Sequence, residues 1–190
     1  MITIKTKISV KDKELEQIQH ITDHFIVTKI NGKHVLFISG NRLFSVNVEN
    51  KSLKEIDISQ QVEQISKVKT MLGELKEESI DELKKIAGFI SKGKKIHSIE
   101  NNSIKLLMDV YIASIPGLEK TIYPEFSKFE QSKQLANLSL QPNEIIVSTT
   151  SEIYMQGNLA QKQSMEIINI ETDLVDNEEF YEYLTFLHEQ

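Results

Sequence analysis

Runs in which apolar and polar residues alternate fill both ends of this chain, and a charged stretch of different period separates them. Ile2–Val10 alternates as a half-buried strand does, and a polar connection over Lys11–Glu16 is expected to follow it. At Phe25–Ile30 and Lys33–Ile38, two runs rich in β-branched and aromatic residues flank Asn31-Gly32. That dipeptide best tolerates positive φ at both central turn positions, so it is the strongest hairpin signal in the chain. Strands are predicted at Thr22–Ile30, Lys33–Ser39, Arg42–Val48 and Leu53–Ile58, broken by Gly40-Asn41 and by Glu49-Asn50-Lys51-Ser52. Connections this short make neighbours antiparallel. The expected result is a meander.

Between Ser59 and Ala87 the period changes, with Val62, Ile65, Val68, Leu72 and Leu75 recurring at helical spacing. Ser59 is placed as an N-cap, and Ser79 with Glu82 reads as a capping box opening a second short helix that Gly88 closes. A second strand block follows, with hairpins Phe89–Ile99/Ser103–Ala113 and Glu144–Tyr154/Leu159–Ile170. Between them Ile115-Pro116-Gly117-Leu118 reads as a turn, and Pro124 opens a helix carrying Phe126, Phe129 and Leu135. The last helix has a capping-box pattern at Asp176 and Glu179 and an apolar face of Phe180, Tyr183, Leu184 and Leu187.

These elements predict the α+β class: one strongly curved, unclosed antiparallel sheet of about nine strands, a half-barrel whose concave face helices cover. Residues 1–190 are expected to form one domain. It divides into a sheet block at 1–58, a helical segment at 59–88, a second sheet block with an inserted helix at 89–170 and a C-terminal helix at 171–190.

Composition narrows the functions. A content of 39% hydrophobic and 26% charged residues is that of a globular chain. The net charge of −6 argues against nucleic acid, which needs a basic face. Without cysteine there is no disulfide, thiolate nucleophile or cysteine metal site. No apolar run approaches the ~20 residues of a transmembrane helix. Met1–Ile8 lacks the apolar stretch of a signal peptide, so a cytoplasmic protein is expected, or a periplasmic one if an export signal has been removed.

The order of elements is similar to the half-barrel fold of the LolA/LolB-like lipoprotein carriers and their uncharacterised bacterial relatives. Three segments carry the resemblance: Asn41–Leu53 as a strand pair, Met108–Ala113 with Ile115-Pro116-Gly117-Leu118 as an aromatic-bearing strand and its exit turn, and Ser164–Ile170 as a terminal strand. The resemblance implies a bent, unclosed sheet around a hydrophobic cavity, helices as a lid, and an apolar small molecule or acyl chain as partner.

Candidate chemistry is sparse. His20 and His24 are four apart, but Ile21-Thr22-Asp23 begins a strand, so no helical metal pair is expected, and no metal or other cofactor is implied. Ser39-Gly40 and Ser148–Ser151 supply hydroxyls without the elbow that a hydrolase nucleophile needs. Asp109 lies within a strand, on the face shared by Leu107 and Tyr111. If that face is concave, Asp109 with His97 or His24 could act as an acid-base pair; if it faces outward, Asp109 is simply hydrated. Phe37, Phe44, Phe89, Tyr111, Tyr154 and Met165 are the candidate walls of an apolar pocket, against the alternative of an ordinary packed core. The acidic clusters Glu77-Glu78, Asp81-Glu82 and Glu178-Glu179 read as solvated first turns of helices. Three functions follow: carriage of a hydrophobic or lipid-like ligand without chemistry, an enzyme in the same shell, or an interaction module whose C-terminal helix docks a protein partner or a second copy.

Overall fold

The structure, a computed structural model, describes residues 1–11, 13–39, 42–47, 52–57, 59–100, 103–124, 126–127 and 138–172. The first meander comprises β1 (Ile2–Val10), β2 (Lys13–Ile21), β3 (Phe25–Ile30), β4 (Lys33–Ser39), β5 (Arg42–Asn47) and β6 (Ser52–Glu55). After helix α1 (Ser59–Leu72) come β7 (Lys76–Ile86), β8 (Phe89–Glu100), β9 (Ser103–Ser114), β10 (Glu144–Met155) and β11 (Asn158–Glu171). All eleven strands form one unclosed sheet in the order β6-β5-β4-β3-β2-β1-β11-β10-β9-β8-β7. Each strand pairs antiparallel with its neighbours, and the first and last strands join the two meanders, from Thr3 opposite Glu171 to Val10 opposite Gln163.

The sheet curls strongly. In a flat sheet β7 and β11 would stand about 19 Å apart, four strand spacings of about 4.8 Å. Here Cα atoms of the two strands approach within 8 Å. Bulges in β11, β10 and elsewhere along the sheet add to the bending.

Eleven strands replace the nine expected, because two segments read otherwise are strands. Lys13–Ile21, taken at its start as a polar connection, is β2, zipped to β1 over its whole length. Its charges are cross-strand partners: Lys5 pairs with Glu16 at 2.9 Å and Lys7 with Glu14 at 2.8 Å. Ser79–Gly88, expected as a capped helix, belongs to the β7–β8 hairpin. Gly88 is not a helix cap but the second residue of a two-residue turn, with Ala87 at φ 48 and Gly88 at φ 89. That is the double positive φ that matches strand twist in tight hairpins. Helix α1 stops at Leu72, before Leu75, because Gly73 takes φ 72 and its amide bonds back to the Lys69 carbonyl.

The expected set of covering helices also differs. Among the described residues the one long α-helix is α1, followed by a 3-10 turn at Leu118–Lys120 and by helical backbone at Tyr123, Pro124, Phe126 and Ser127, where a helix opening at Pro124 was expected. The segment that lies over the sheet is 115–127, which buries Ile115, Leu118, Ile122, Tyr123 and Phe126 in the same cluster as Ile4, Ile21 and Ile26. The Ile122 amide donates to the Thr22 carbonyl at 2.9 Å, tying this segment to the β2–β3 turn. Phe129, Leu135 and the expected C-terminal helix lie outside the described residues.

Three apolar clusters hold the fold. The main one joins both meanders under segment 115–127. A second contains Phe25, Val27, Phe37, Phe44 and Leu53. Since Ile26 and Ile38 belong to the first cluster, alternation places the second on the opposite face of β3 and β4. These strands are therefore buried on both faces, which is why they read as continuous apolar runs. The third cluster, around Ile96, Val110 and Leu138, flanks the cavity described next.

Candidate ligand cavity

A cavity of about 380 Å³ lies between the sheet and the residues on either side of the β9–β10 connection. Alternation selects its floor. Pairing sets Gln17 beside Thr6 and Thr6 beside Ile167. It likewise sets Met165 beside Thr149 and Thr149 beside Val110, then Gln163 beside Ser151 and Ser151 beside Met108. Three adjacent rungs of the ladder thus aim one side chain per strand into the same space. Gln19 extends the floor along β2, and Tyr123, Phe126, Leu138 and Leu140 complete the walls. At Ile145 and Ile146 two consecutive residues both reach the cavity, because the β10 bulge between Ile146 and Ser148 interrupts the alternation.

The lining is apolar with scattered amides and hydroxyls, and among the described residues it contains no charged side chain. Thr6 and Ser151 are buried. The Thr149 hydroxyl oxygen is buried and has no hydrogen-bond partner among the described residues. On β1, β2, β10 and β11 charge is sorted to the intervening positions, whereas Lys94 of β8 stands opposite Val110 on the same face and is paired with Glu77 at 3.1 Å. Lys5 and Lys7 flank Thr6 and are paired with Glu16 and Glu14. Lys162, next to Gln163, donates to Glu152 Oε1 at 2.7 Å, while the Tyr154 hydroxyl donates to Glu152 Oε2 at 2.7 Å. These two hydrogen bonds, Lys162 first, hold the Glu152 carboxyl below the usual glutamate range. The same carboxylate raises both Lys162 and Tyr154 above their ordinary values.

Of the six side chains proposed as pocket walls, the structure places Met165 in the cavity. Phe37 and Phe44 sit in the second apolar cluster. Phe89 packs partly buried against the main cluster, to which Tyr111 belongs. Tyr111 lies beneath the Lys84 ammonium, 4.2 Å from its ring centroid. Hydrogen bonding to Tyr111 raises the lysine above its ordinary value. Tyr154 is held by Glu152.

The acid-base candidates are not joined. Asp109 stands opposite Lys95 and Thr150, with a buried Oδ1 that has no hydrogen-bond partner among the described residues. His97 pairs across the ladder with Leu107, and its Nε2 is 3.9 Å from Glu78. His24 is exposed beside Asp23 in the β2–β3 turn. His20 lies in β2 with Nδ1 3.2 Å from the Thr3 hydroxyl. Among the described residues no three metal-ligating side chains converge.

Apart from Met165, sequence reasoning missed the lining residues, both the polar floor of Thr6, Gln17, Gln19, Thr149, Ser151 and Gln163 and apolar walls such as Met108, Val110, Leu138 and Leu140. Gln17 and Gln19 lay in a stretch to which no strand was assigned. The signal was present in Lys5-Thr6-Lys7 facing Glu14-Leu15-Glu16, complementary charges at strand spacing.

No family model matches this chain. No curated protein matches it either. Among solved structures it is similar to a LolA superfamily protein from Nitrosomonas europaea, at 7% identity, over 92% of this chain and 86% of that one, with a TM-score of 0.33. At that TM-score the likeness carries no argument about the site, which rests on the cavity's own chemistry.

Proposed function

We propose that this protein binds a hydrophobic or lipid-like ligand in the cavity between the sheet and the β9–β10 connection, and performs no chemistry on it. The supporting observation is a cavity of about 380 Å³ lined by Met108, Val110, Leu138, Leu140, Ile146 and Met165, with no charged group among the described lining residues. Its size falls in the range of ordinary small-molecule sites, and at about 30 Å³ per water-sized group it holds roughly a dozen such groups. One acyl or alkyl chain of moderate length fits that space. Carriage between membranes is the role such a site would serve in a half-barrel protein. Among the described residues no helix is long and apolar enough to cross a membrane.

Chain length is the decisive variable. Burial contributes roughly 0.8 kcal/mol per methylene, which is about a fourfold gain in affinity for each carbon added. Linear alcohols of increasing length should therefore tighten in steps of about that size and then level off when the cavity is full, near a dozen carbons. Displacement of an uncharged fluorescent dye would measure the series. Affinity that does not change with length, or no displacement at any length, would sink the proposal. Met165→Trp, which adds bulk to the floor, should weaken dodecan-1-ol more than tenfold while leaving the far-ultraviolet spectrum unchanged.

A further inference from the structure

We infer that the ligand is uncharged at its polar end, an alcohol, ester or amide on an apolar chain, and that the cavity discriminates against carboxylates. This deepens the proposed function and rests on it. The polar groups along the β1–β2–β11–β10 floor are the Gln17, Gln19 and Gln163 amides and the Thr6, Thr149 and Ser151 hydroxyls. All can both donate and accept, so together they suit a neutral head and supply no countercharge to an anion.

An ionised group taken out of water needs a paired charge, and the penalty for leaving it unpaired is several times that of a neutral polar group. The nearby cations are already engaged: Lys5 and Lys7, on intervening positions, with Glu16 and Glu14, Lys162 with Glu152, and Lys94, which stands opposite Val110 on the same face, with Glu77 at 3.1 Å. Recruiting Lys94 would mean breaking its ion pair with Glu77, and recruiting Lys5, Lys7 or Lys162 would also mean turning it through the sheet.

An independent observation points the same way. Thr149 sits in the middle rung, between Met165 and Val110, and its hydroxyl oxygen is buried without a partner among the described residues. Buried hydroxyls without partners are rare and unfavourable, and a ligand hydroxyl or ester oxygen at this point would satisfy it. The Gln17 and Gln19 amides enter the same space from β2.

The test compares three probes of matched chain on the wild-type protein: dodecan-1-ol, 1-monododecanoylglycerol and sodium dodecanoate, each displacing Nile red at pH 8, where the carboxylate is ionised. The two neutral compounds should bind, and dodecanoate should be at least tenfold weaker. Dodecanoate binding as tightly as the alcohol overturns the inference and leaves the proposed function intact. If none of the three displaces the dye, both fall. Thr149→Val removes the hydroxyl at nearly constant volume and should weaken dodecan-1-ol by about two- to tenfold, the worth of one hydrogen bond, without lowering the urea midpoint. Unchanged alcohol affinity in that variant would remove Thr149 from the head-group contact.

Discussion

A methyl group placed on residue 93 would stand 2.8 Å from Ile80 Cβ and 2.9 Å from Tyr111 Cε1. Neither atom can easily yield, since one is fixed to the β7 backbone and the other belongs to a ring buried in the main cluster. Gly93 therefore works as a flat spot that lets the three strands β7, β8 and β9 close up. Gly93→Ala should lower unfolding free energy by about 1–3 kcal/mol, as overpacking does, read from urea denaturation. An unchanged midpoint would mean that the strands separate freely there. Tyr111 owes its position to this glycine and to the Lys84 ammonium above it. That explains why an aromatic on a strand was legible as buried while its cluster was not: the deciding contacts come from β7 and β8, not from its own strand.

Among the elements, those that carry turn chemistry were legible. Asn31-Gly32 and Gln156-Gly157 both close hairpins, with φ 49 and 77 in the first and 52 and 79 in the second. Both strand pairs of the second block lie where alternation put them. Alternation missed β2, whose start was read as a polar connection, and β7, whose Ser79–Ile86 stretch has the composition and spacing of a helix. Pairing with β8 overrode that preference, and the register slip between Ile80 and Lys84 absorbs the mismatch, with Leu83 left exposed. At the β10–β11 hairpin the Glu152 network allows a prediction with a definite sign. The folded carboxyl is held below its ordinary value, so its contribution is complete above the glutamate range and is lost as pH falls through the folded value. Lys162 is shifted upward, so its share is complete at neutral pH and is lost only when pH rises past the folded lysine value. Amide exchange near the Gln156-Gly157 turn, corrected for the intrinsic pH dependence, should therefore accelerate on acidification in the wild type. In Glu152→Gln it should already be faster at neutral pH and change little with acid. Equal acid response in both proteins would show that the network does not hold the hairpin.

For the whole molecule, the two meanders have different parts to play. Strands β3 and β4 are buried on both faces, with the Phe25, Phe37 and Phe44 cluster opposite the main core. The cavity, by contrast, is built from β1, β2, β9, β10 and β11, together with segment 115–127 and residues 138–146. Tertiary pairing created that floor, since Thr6 and Ile167 are brought side by side only when β1 closes on β11. No window of the sequence contains both, so the site was hidden even though most of its strands were visible. If the cavity is the binding site, a ligand stabilises the native state by mass action, about 2.7 kcal/mol at a hundredfold excess over Kd. Dodecan-1-ol should accordingly raise the thermal midpoint in a concentration-dependent way. The gain should appear first as slower amide exchange in β9–β11 and in segment 115–127, where the Ile122 amide meets the Thr22 carbonyl. Strands β4–β6, which contribute no cavity side chain, should be affected only through global unfolding. Local protection appearing instead in β4–β6 would relocate the site to the second apolar cluster, and the cavity would then be a packing defect between the sheet and its cover.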